Sequence, residues 1–558
     1  MKKIIPFIIL IVNLTSNAQC PTPSNLIASG GLGQTTLSWT ENGTANSWEV
    51  AVIPNYSIGD PMPTSGIFAA SNPFILTGLA PVCNVFFVRS ICNSTNFSPW
   101  AVIGEGCSFT PGGNHNTISG QIKFDANNNG CDASDLPQPN IRININDGTA
   151  AGATFTNNQG TYNFYTQTGS FNLTPDTENP TWFTISPATA TIPFADNNNN
   201  TTTQNFCIAA NGTHTDVEVV IEPIITARPG FDAVYKIVYK NKGNQAVSGN
   251  VIFNYNDAFL ENVSATVTAD SQSTGVMNWS YTNLLPFENR SFYVTLHVNE
   301  PTLIPPVNIG DVLSFNASIT TVTSDENPLD NAFNYDQTVV GSYDPNNITC
   351  MEGAIVPPSL IGSYLHYGVN FENTGTYPAE NIVVKAVIDT SKYDVNSLQM
   401  LNTSNPAYTK ITGNVVEFIF QNIMLDSGGH GNVLFKIKTK NNLVNGDMVS
   451  KNADIFFDYN APINTGMANT TFQLLNNGQF VIDDSIIVSP NPTSSNVNIN
   501  SNFNIKAIQV YDIQGRLLET KLVEDITTTI NLSNKTNGIY FLKITTNTGS
   551  KVEKIVKE

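Results

Sequence analysis

Apolar and polar residues alternate along most of this chain. In Val217-Glu218-Val219-Val220-Ile221 and in Tyr235-x-Ile237-x-Tyr239 the apolar residues recur mainly at alternate positions, the period at which the side chains of a β-strand return to one face. The runs are short, and clusters of Gly, Pro and Asn separate them, which predicts strands joined by tight turns. No convincing run repeats its apolar residues at helical spacing. The expected fold class is therefore all-β, a series of tandem β-sandwiches.

One of these patterns occurs twice. Tyr235-x-Ile237-x-Tyr239-x-Asn241-x-Gly243 returns as Tyr367-x-Val369-x-Phe371-x-Asn373-x-Gly375 at a constant offset of 132 residues, which holds from Val251 and Val383 to Asp257 and Asp389. Further on, Asp311-Val312-Leu313-Ser314 corresponds to Asp447-Met448-Val449-Ser450, and Asn283 to Asn422, with a small drift. Alternation followed by Asn-x-Gly is a strand entering a tight turn, so residues 216–342 and 343–475 are read as two copies of one sandwich. With the lead-in Asp344-Pro345-Asn346-Asn347 and the ending Phe456-Phe457-Asp458-Tyr459-Asn460-Ala461-Pro462-Ile463, the pair resembles the conserved-repeat immunoglobulin-like domains of bacterial surface proteins. That resemblance implies architecture and no activity.

Upstream, residues 20–108 carry Cys20-Pro21-Thr22-Pro23, Leu37-Ser38-Trp39, Trp48-Glu49-Val50, Leu79-Ala80-Pro81 and Phe87-Val88-Arg89. This series is similar to a fibronectin type III domain, with Trp39 at the core position of its second strand. It departs from the family at Val85, where a tyrosine would form the corner between strands. Four cysteines in this module allow three pairings. In the sandwich that the resemblance implies, the ends of the strands favour Cys20 with Cys92 and Cys83 with Cys107. Trp39, Trp48 and Trp100 are read as core or half-buried packing rather than as a sugar-binding platform.

After a Pro-Gly-Gly-Asn linker near residues 111–116, residues 117–209 open with Gly120-Gln121-Ile122-Lys123-Phe124-Asp125-Ala126-Asn127-Asn128-Asn129-Gly130-Cys131-Asp132, followed by Pro139-Asn140-Ile141 and Gln159-Gly160-Thr161-Tyr162-Asn163-Phe164. This module resembles the B-type repeats of bacterial adhesins and the related carboxypeptidase-regulatory sandwiches. Asp125, Asn127 and Asn129 stand at every second position before Gly130, the spacing by which a loop presents oxygen ligands to calcium, with Asp132 and Asp135 as the further acidic positions. Leu136 stands where a bidentate Glu would close such a loop, and flanking helices are missing. Two readings stay open, a structural calcium site and a loop shaped by Asx-turns alone. Cys131 and Cys207 are candidates to close the module, leaving Cys350 as the odd thiol.

The two ends of the chain concern its address. Met1-Lys2-Lys3, the apolar run from Ile4 to Val12, and Ser16-Asn17-Ala18 have the order of a secretory signal peptide over residues 1–18, too short to span a bilayer. At the other end, Ile486-Ile487-Val488 runs into Ser489-Pro490-Asn491-Pro492, then Ile508 to Arg516 with a turn at Gln514-Gly515, Ile530-Asn531-Leu532, Asn537-Gly538-Ile539-Tyr540, and Lys554-Ile555-Val556-Lys557. Pro490 and Pro492 have no N–H for a ladder and end the first strand. These ordered motifs over 484–558, with Pro490, Asn491, Pro492, Gly515, Gly538, Tyr540, Lys554 and Lys557 as their key positions, resemble the C-terminal sorting domain of type IX secretion. The resemblance implies the type IX machinery and its sorting peptidase as partners, with export through the periplasm to the outer surface or medium.

Charge narrows the functional classes. The formal net charge is -19, but eight Lys/Arg balance eight Asp/Glu between Gly478 and Glu558, so the excess lies upstream and the last segment reads as an independent module. An acidic chain does not favour nucleic acid or an anionic membrane surface, and no later stretch is long and apolar enough for a transmembrane span. The five histidines are scattered, and no H-E-x-x-H, G-x-S-x-G, phosphate loop or paired-cysteine zinc spacing occurs. Asp325, Glu326 and Asp330 are read as a solvated loop rather than a second calcium site. The sequence thus points to a non-catalytic, exported stalk of immunoglobulin-like and fibronectin-like sandwiches ending in a small β-sandwich sorting domain. The expected role is adhesion or surface structure, with a glycan or cell-surface ligand as the candidate partner. The alternatives are an ancillary carbohydrate-binding protein, for which Trp182 is a candidate contact, and a cryptic hydrolase.

Overall fold

A computed structural model describes residues 20–31, 34–54, 56, 60–79, 83–107, 114–321, 325–458, 462–474, 483–547 and 549–558. The expected signal peptide, residues 80–81 of the Leu-x-Pro motif, residues 111–113 of the linker and residues 459–461 of the repeat's ending lie outside the described residues. Regular structure among the described residues is β-strand, with single 3₁₀ turns at Pro180–Trp182, Pro358–Leu360 and Val395–Ser397. No helix among them is long and apolar enough to cross a membrane. The chain forms two compact units, Met1–Gln473 and Leu474–Glu558.

In the first unit the alternation seen in the sequence folds as expected into facing sheets. The N-terminal module packs strands Ser24–Gly31, Gln34–Thr40 and Phe74–Thr77 against a second sheet that contains Trp48–Pro54 and Cys83–Asn93. Leu37, Trp39, Trp48, Val50, Phe86 and Val88 fill the space between. Trp39 and Trp48 meet edge to face at 5.3 Å, and Glu41 accepts from the Trp48 indole at 2.7 Å. Both indoles are therefore core.

The repeated Asn-x-Gly does the same work in both copies. Asn241 donates to the carbonyls of Gln245 and Leu284 at 2.7 and 2.9 Å and accepts from Gly243 N at 3.0 Å. Asn373 donates to Tyr377 and Leu425 at 2.8 Å each and accepts from Gly375 N at 3.0 Å. A buried amide that satisfies three backbone groups fixes the turn at the end of the strand. The preceding tyrosines, Tyr235 and Tyr367, are fully buried in their respective cores.

The expected stalk of serial sandwiches on short linkers is not what the first unit builds. Strand Ala151–Phe155 of the second module pairs antiparallel with Tyr408–Thr412 of the fourth, and the two modules thereby share one nine-stranded sheet. Phe155 and Ala153 enter the fourth module's core. A Cβ on Gly152 would stand 2.9 Å from the Ile411 carbonyl, so glycine permits this close approach. The second module is also tied by Arg142 Nη1 to the Val395 carbonyl at 3.0 Å and by Thr154 Oγ1 to the Thr409 carbonyl at 2.8 Å. The first module reaches the same neighbour, where Lys385 Nζ donates to the Tyr56 carbonyl at 3.1 Å. Strands on a sheet edge seek further pairing partners, and this edge finds one inside the chain.

The third and fourth modules meet through polar faces. Glu218 and Glu222 on Val217–Ile225, and Lys236 and Lys240 on Asp232–Asn241, point away from their own core yet are buried. Opposite them stand His366 and Asn370 on Tyr364–Glu372, with Asn432 and Lys436 on His430–Lys438.

The second unit is a five-stranded sheet built on the long strand Asn496–Tyr511, whose register breaks between Asn500, Ile505 and Ala507. The break folds the strand over, so that Val497 and Ile499 from one half and Ile508 and Val510 from the other share a core with Tyr540, Leu542, Ile544 and Ile555.

Candidate functional site

In the second unit the first and last motifs of the sequence come together. Asn491 donates from Nδ2 to the Lys554 carbonyl at 2.6 Å and accepts at Oδ1 from Val556 N at 2.9 Å. Its neighbours Pro490 and Pro492 have no backbone N–H to give, so the side-chain amide takes the place of a ladder partner. Thr493 N then donates to the Val556 carbonyl at 2.9 Å. Gly515, at φ 78°, closes a turn in which Asp512 Oδ1 accepts from Gln514 N and Arg516 N at 2.9 Å each. Gly538 opens a strand, and the Tyr540 hydroxyl donates to the Thr536 carbonyl at 2.8 Å. Lys557 Nζ donates to Asn537 Oδ1 at 3.2 Å, and Lys554 lies on the terminal strand Ser550–Lys557.

The loop after Asn116–Asp125 is closed by its own turns. Asp125 accepts at Oδ1 from Asn129 N (3.2 Å) and at Oδ2 from Gly130 N (2.7 Å), and Asn127 Oδ1 also accepts from Asn129 N. Asp135 Oδ2 accepts from Asp132 N at 2.8 Å, while Asp132 Oδ1 accepts from Ser134 N at 2.7 Å. The Asn127 and Asp132 contacts are Asx-turns, and the carboxylates of Asp125 and Asp135 gather further backbone N–H groups of the loop. No group of three His, Cys, Asp or Glu side chains among the described residues is placed to hold a metal.

Disulfides join Cys20 to Cys92 and Cys131 to Cys207, with Cα separations of 5.9 and 5.6 Å. Cys83 and Cys107 face each other in backbone register, and their side chains lie outside the described residues. Cys350 is a buried free thiol whose pKa is pushed up by burial and by Glu352. Trp182, the candidate contact of the carbohydrate-binding alternative, lies flat against His214 at 4.8 Å and is half-buried.

The acidic loop at Asp325 is solvated at Glu326 and Leu329, as the sequence reading has it, while its other two carboxylates are tied to the body of the module. Asp325 Oδ2 accepts from Val217 N at 2.9 Å, Glu326 pairs with His214 at 2.9 Å, and Asp330 pairs with Lys242. Lys242 also meets Asp216 at 3.2 Å, at the edge of the buried charge cluster between the modules. At its centre Lys436 Nζ donates to both oxygens of Glu218 (2.7 and 2.8 Å) and to Glu178 of the second module (2.8 Å). His366 sits between Glu218 at 3.2 Å and Glu352 at 2.5 Å. Sequence reasoning missed this cluster. Its signal was a set of charged residues of opposite sign on strand faces, in a chain where only 12% of residues are charged.

Burial disfavours the His366 imidazolium, but Glu352 and Glu218 outweigh it and raise the pKa from 6.5 to about 9. Because the folded state holds this proton more tightly, the contribution is fully present below pH 6.5 and is lost as pH rises through about 9. His366→Gln is therefore expected to lower the melting temperature at pH 6 and to differ little from wild type above pH 9. A gap independent of pH would rule this out.

A cleft of about 1160 Å³ lies between the second and fourth modules. It opens where strands Ala151–Phe155 and Thr161–Thr166, in different sheets, diverge, and its far wall is formed by Tyr408–Thr412 and Val415–Phe420. Half-buried Phe164, Tyr165 and Tyr408 present aromatic surface to it. Gln121, Asn157, Asn163, Asn205 and Gln421 supply neutral amides. Of the charged lining groups, Lys410 and Glu417 face each other at 3.7 Å. Aromatic faces with uncharged donors and acceptors are suited to a neutral, hydroxyl-rich ligand.

None of the curated proteins matches this chain. Among solved structures it is similar to BcpA, the major pilin subunit of Bacillus cereus, at 9% identity over 75% of this chain and 96% of the other, with a TM-score of 0.20. It is also similar to the collagen adhesin of S. aureus (15% identity, 47% and 95% covered, TM-score 0.18) and to the FN1-FN3 domains of chicken CNTN1 (8%, 62% and 100%, 0.17). Residues 344–471 match a domain of unknown function, DUF7619. Residues 488–558 match the secretion system C-terminal sorting domain, and the chain is a substrate of type IX secretion, delivered to the cell surface or the extracellular space.

Proposed function

We propose that the protein acts outside the cell as a non-catalytic binding protein in adhesion or surface structure, and that the cleft between its second and fourth modules takes a neutral glycan. The observation that carries this is the lining of the cleft. Three half-buried aromatic rings stand among side-chain amides, in a concavity of about 1160 Å³. Aromatic rings pack against the C–H faces of sugars while amides meet their hydroxyls, and neither contact requires charge. The wall is made by a shared sheet, so the site is preformed and little ordering is needed on binding.

A glycan and polymer array probed with the exported protein tests the reading. Binding to one polysaccharide class is expected, with Tyr408→Ala and Tyr165→Ala each weakening it by roughly tenfold, about 1.4 kcal/mol. Trp182→Ala should leave it unchanged, because that ring is stacked on His214 away from the cleft. A flat array, or binding indifferent to both tyrosines, would refute the cleft as the site.

A further inference from the structure

Between the third and fourth modules lies a group of three side chains that the charge cluster does not use. Lys236 Nζ stands 2.9 Å from Asn432 Oδ1 and 3.7 Å from Glu222 Oε2. Lys236 and Glu222 face each other in register across neighbouring strands of the third module, and Asn432 projects from the fourth. Lys236, Glu222 and Asn432 are 1%, 0% and 2% exposed, so water does not compete for them. Val220 and Val238 on one side, and Met351, Leu401 and Leu434 on the other, belong to the apolar cluster around this interface.

As ions these groups are poorly served. A buried ammonium needs several acceptors, and Lys236 has one hydrogen bond, to a neutral amide. Neither oxygen of Glu222 receives a hydrogen bond. Burial lowers the pKa of Lys236 and raises that of Glu222, which favours a neutral amine beside a protonated acid. Gly368 makes the arrangement possible, since a Cβ there would lie 2.9 Å from Glu222 Oε1. It occupies the position in the repeat that corresponds to Lys236.

We infer that Lys236 and Asn432 are placed to form an intramolecular amide bond, with Glu222 as the proton carrier, so that the third and fourth modules become covalently joined. The lone pair of Nζ adds to Cγ of Asn432, forming the N–C bond as the carbonyl π pair moves onto Oδ1, which takes the proton of Glu222. The Glu222 carboxylate removes one proton from Nζ and passes it to Nδ2. The carbonyl then re-forms, its proton returns to Glu222, and Nδ2 departs as ammonia. One amine and one primary amide give one secondary amide and ammonia, with no oxidant or other reactant. A neutral amine nucleophile, an adjacent acid and a dry site that holds both partners in contact are what the step requires.

The test is mass spectrometry of the full-length protein, intact and after proteolysis. The expected result is a mass lower by one ammonia and a branched peptide joining the Lys236 and Asn432 segments. Glu222→Gln, which keeps the shape and removes the acid, should retain the unmodified mass, as should Asn432→Ala. Separate linear peptides for Lys236 and Asn432 in the wild type would overturn the inference. So would a branch at Asn370, which stands opposite Asn432 but donates to the Pro223 carbonyl, or a mass lower by one water with the link at Glu222. The wild-type measurement decides the matter even if a variant fails to fold.

Discussion

Lys436→Met is expected to lower the stability of the first unit by about 3–5 kcal/mol, because it leaves two carboxylates facing each other without their shared cation. Lys436 is 1% exposed, and its ammonium donates to Glu218 at 2.7 and 2.8 Å and to Glu178 at 2.8 Å. Burial opposes the charge on Lys436, yet Glu178 and Glu218 outweigh it and hold the pKa above its usual value. Methionine fills a similar volume, so the loss measures the missing cation rather than a cavity, with His366 left on Glu218 at 3.2 Å and Lys242 at 4.0 Å from Glu178. Denaturant unfolding of the variant gives the size of the effect. Adding Glu218→Leu should recover part of the loss, since removing both partners costs less than stranding one. If the double variant were as unstable as the sum of the two single variants, the pair would not be coupled and the argument would fail.

The same residues show how far the sequence can be read. The alternation around Tyr235 and Tyr367 names the residues that face each core, because a strand covered on one side must carry apolar residues at every second position. It is silent on the other face. Glu218, Glu222, Lys236 and Lys240 have the pattern of a solvated surface, and a second sandwich covers them. Nothing in the period of a strand distinguishes water from a partner of complementary charge. For this reason the linked modules were expected as a stalk, whereas Glu178, Glu218 and Lys436 bring three of them together at one point.

Turn chemistry was more legible than assembly. Asn241 and Asn373 hold the turns that a repeated Asn-x-Gly anticipates, whereas the order of motifs from Pro490 to Lys557 does not reveal that Asn491 bonds to the backbone of Lys554 and Val556. The cleft was not legible, because it exists only where Ala151–Phe155 pairs with Tyr408–Thr412, strands more than 250 residues apart. The small residues Ala151, Gly152 and Ala153 are the local trace of that pairing, and in sequence they read as a weak strand.

Replacing Cys131 and Cys207 together by serine is expected to cost the second module about 2–5 kcal/mol. The bond spans 76 residues, so its loss returns a long loop's freedom to the unfolded chain. In the folded state it fastens the loop after Asn116–Asp125 to Phe206–Ala210, the strand that lies parallel to it with Cys207 beside Lys123. Cys131 N also donates to Cys207 Sγ at 3.1 Å, so the backbone of the loop is drawn to the same point. The turns made by Asp125 and Asp135 remain in the variant, and the expected loss is therefore one of global stability with the loop's local shape retained. Thermal unfolding and hydrogen exchange in Phe206–Ala210 measure the two parts. Cys350 supplies an internal control, because its thiol is buried and held protonated by its surroundings, and should resist alkylation until its own module opens. If the double serine variant melted with the wild type and exchanged no faster at Phe206–Ala210, the parallel pairing with Asn116–Asp125 would hold that strand without the covalent link.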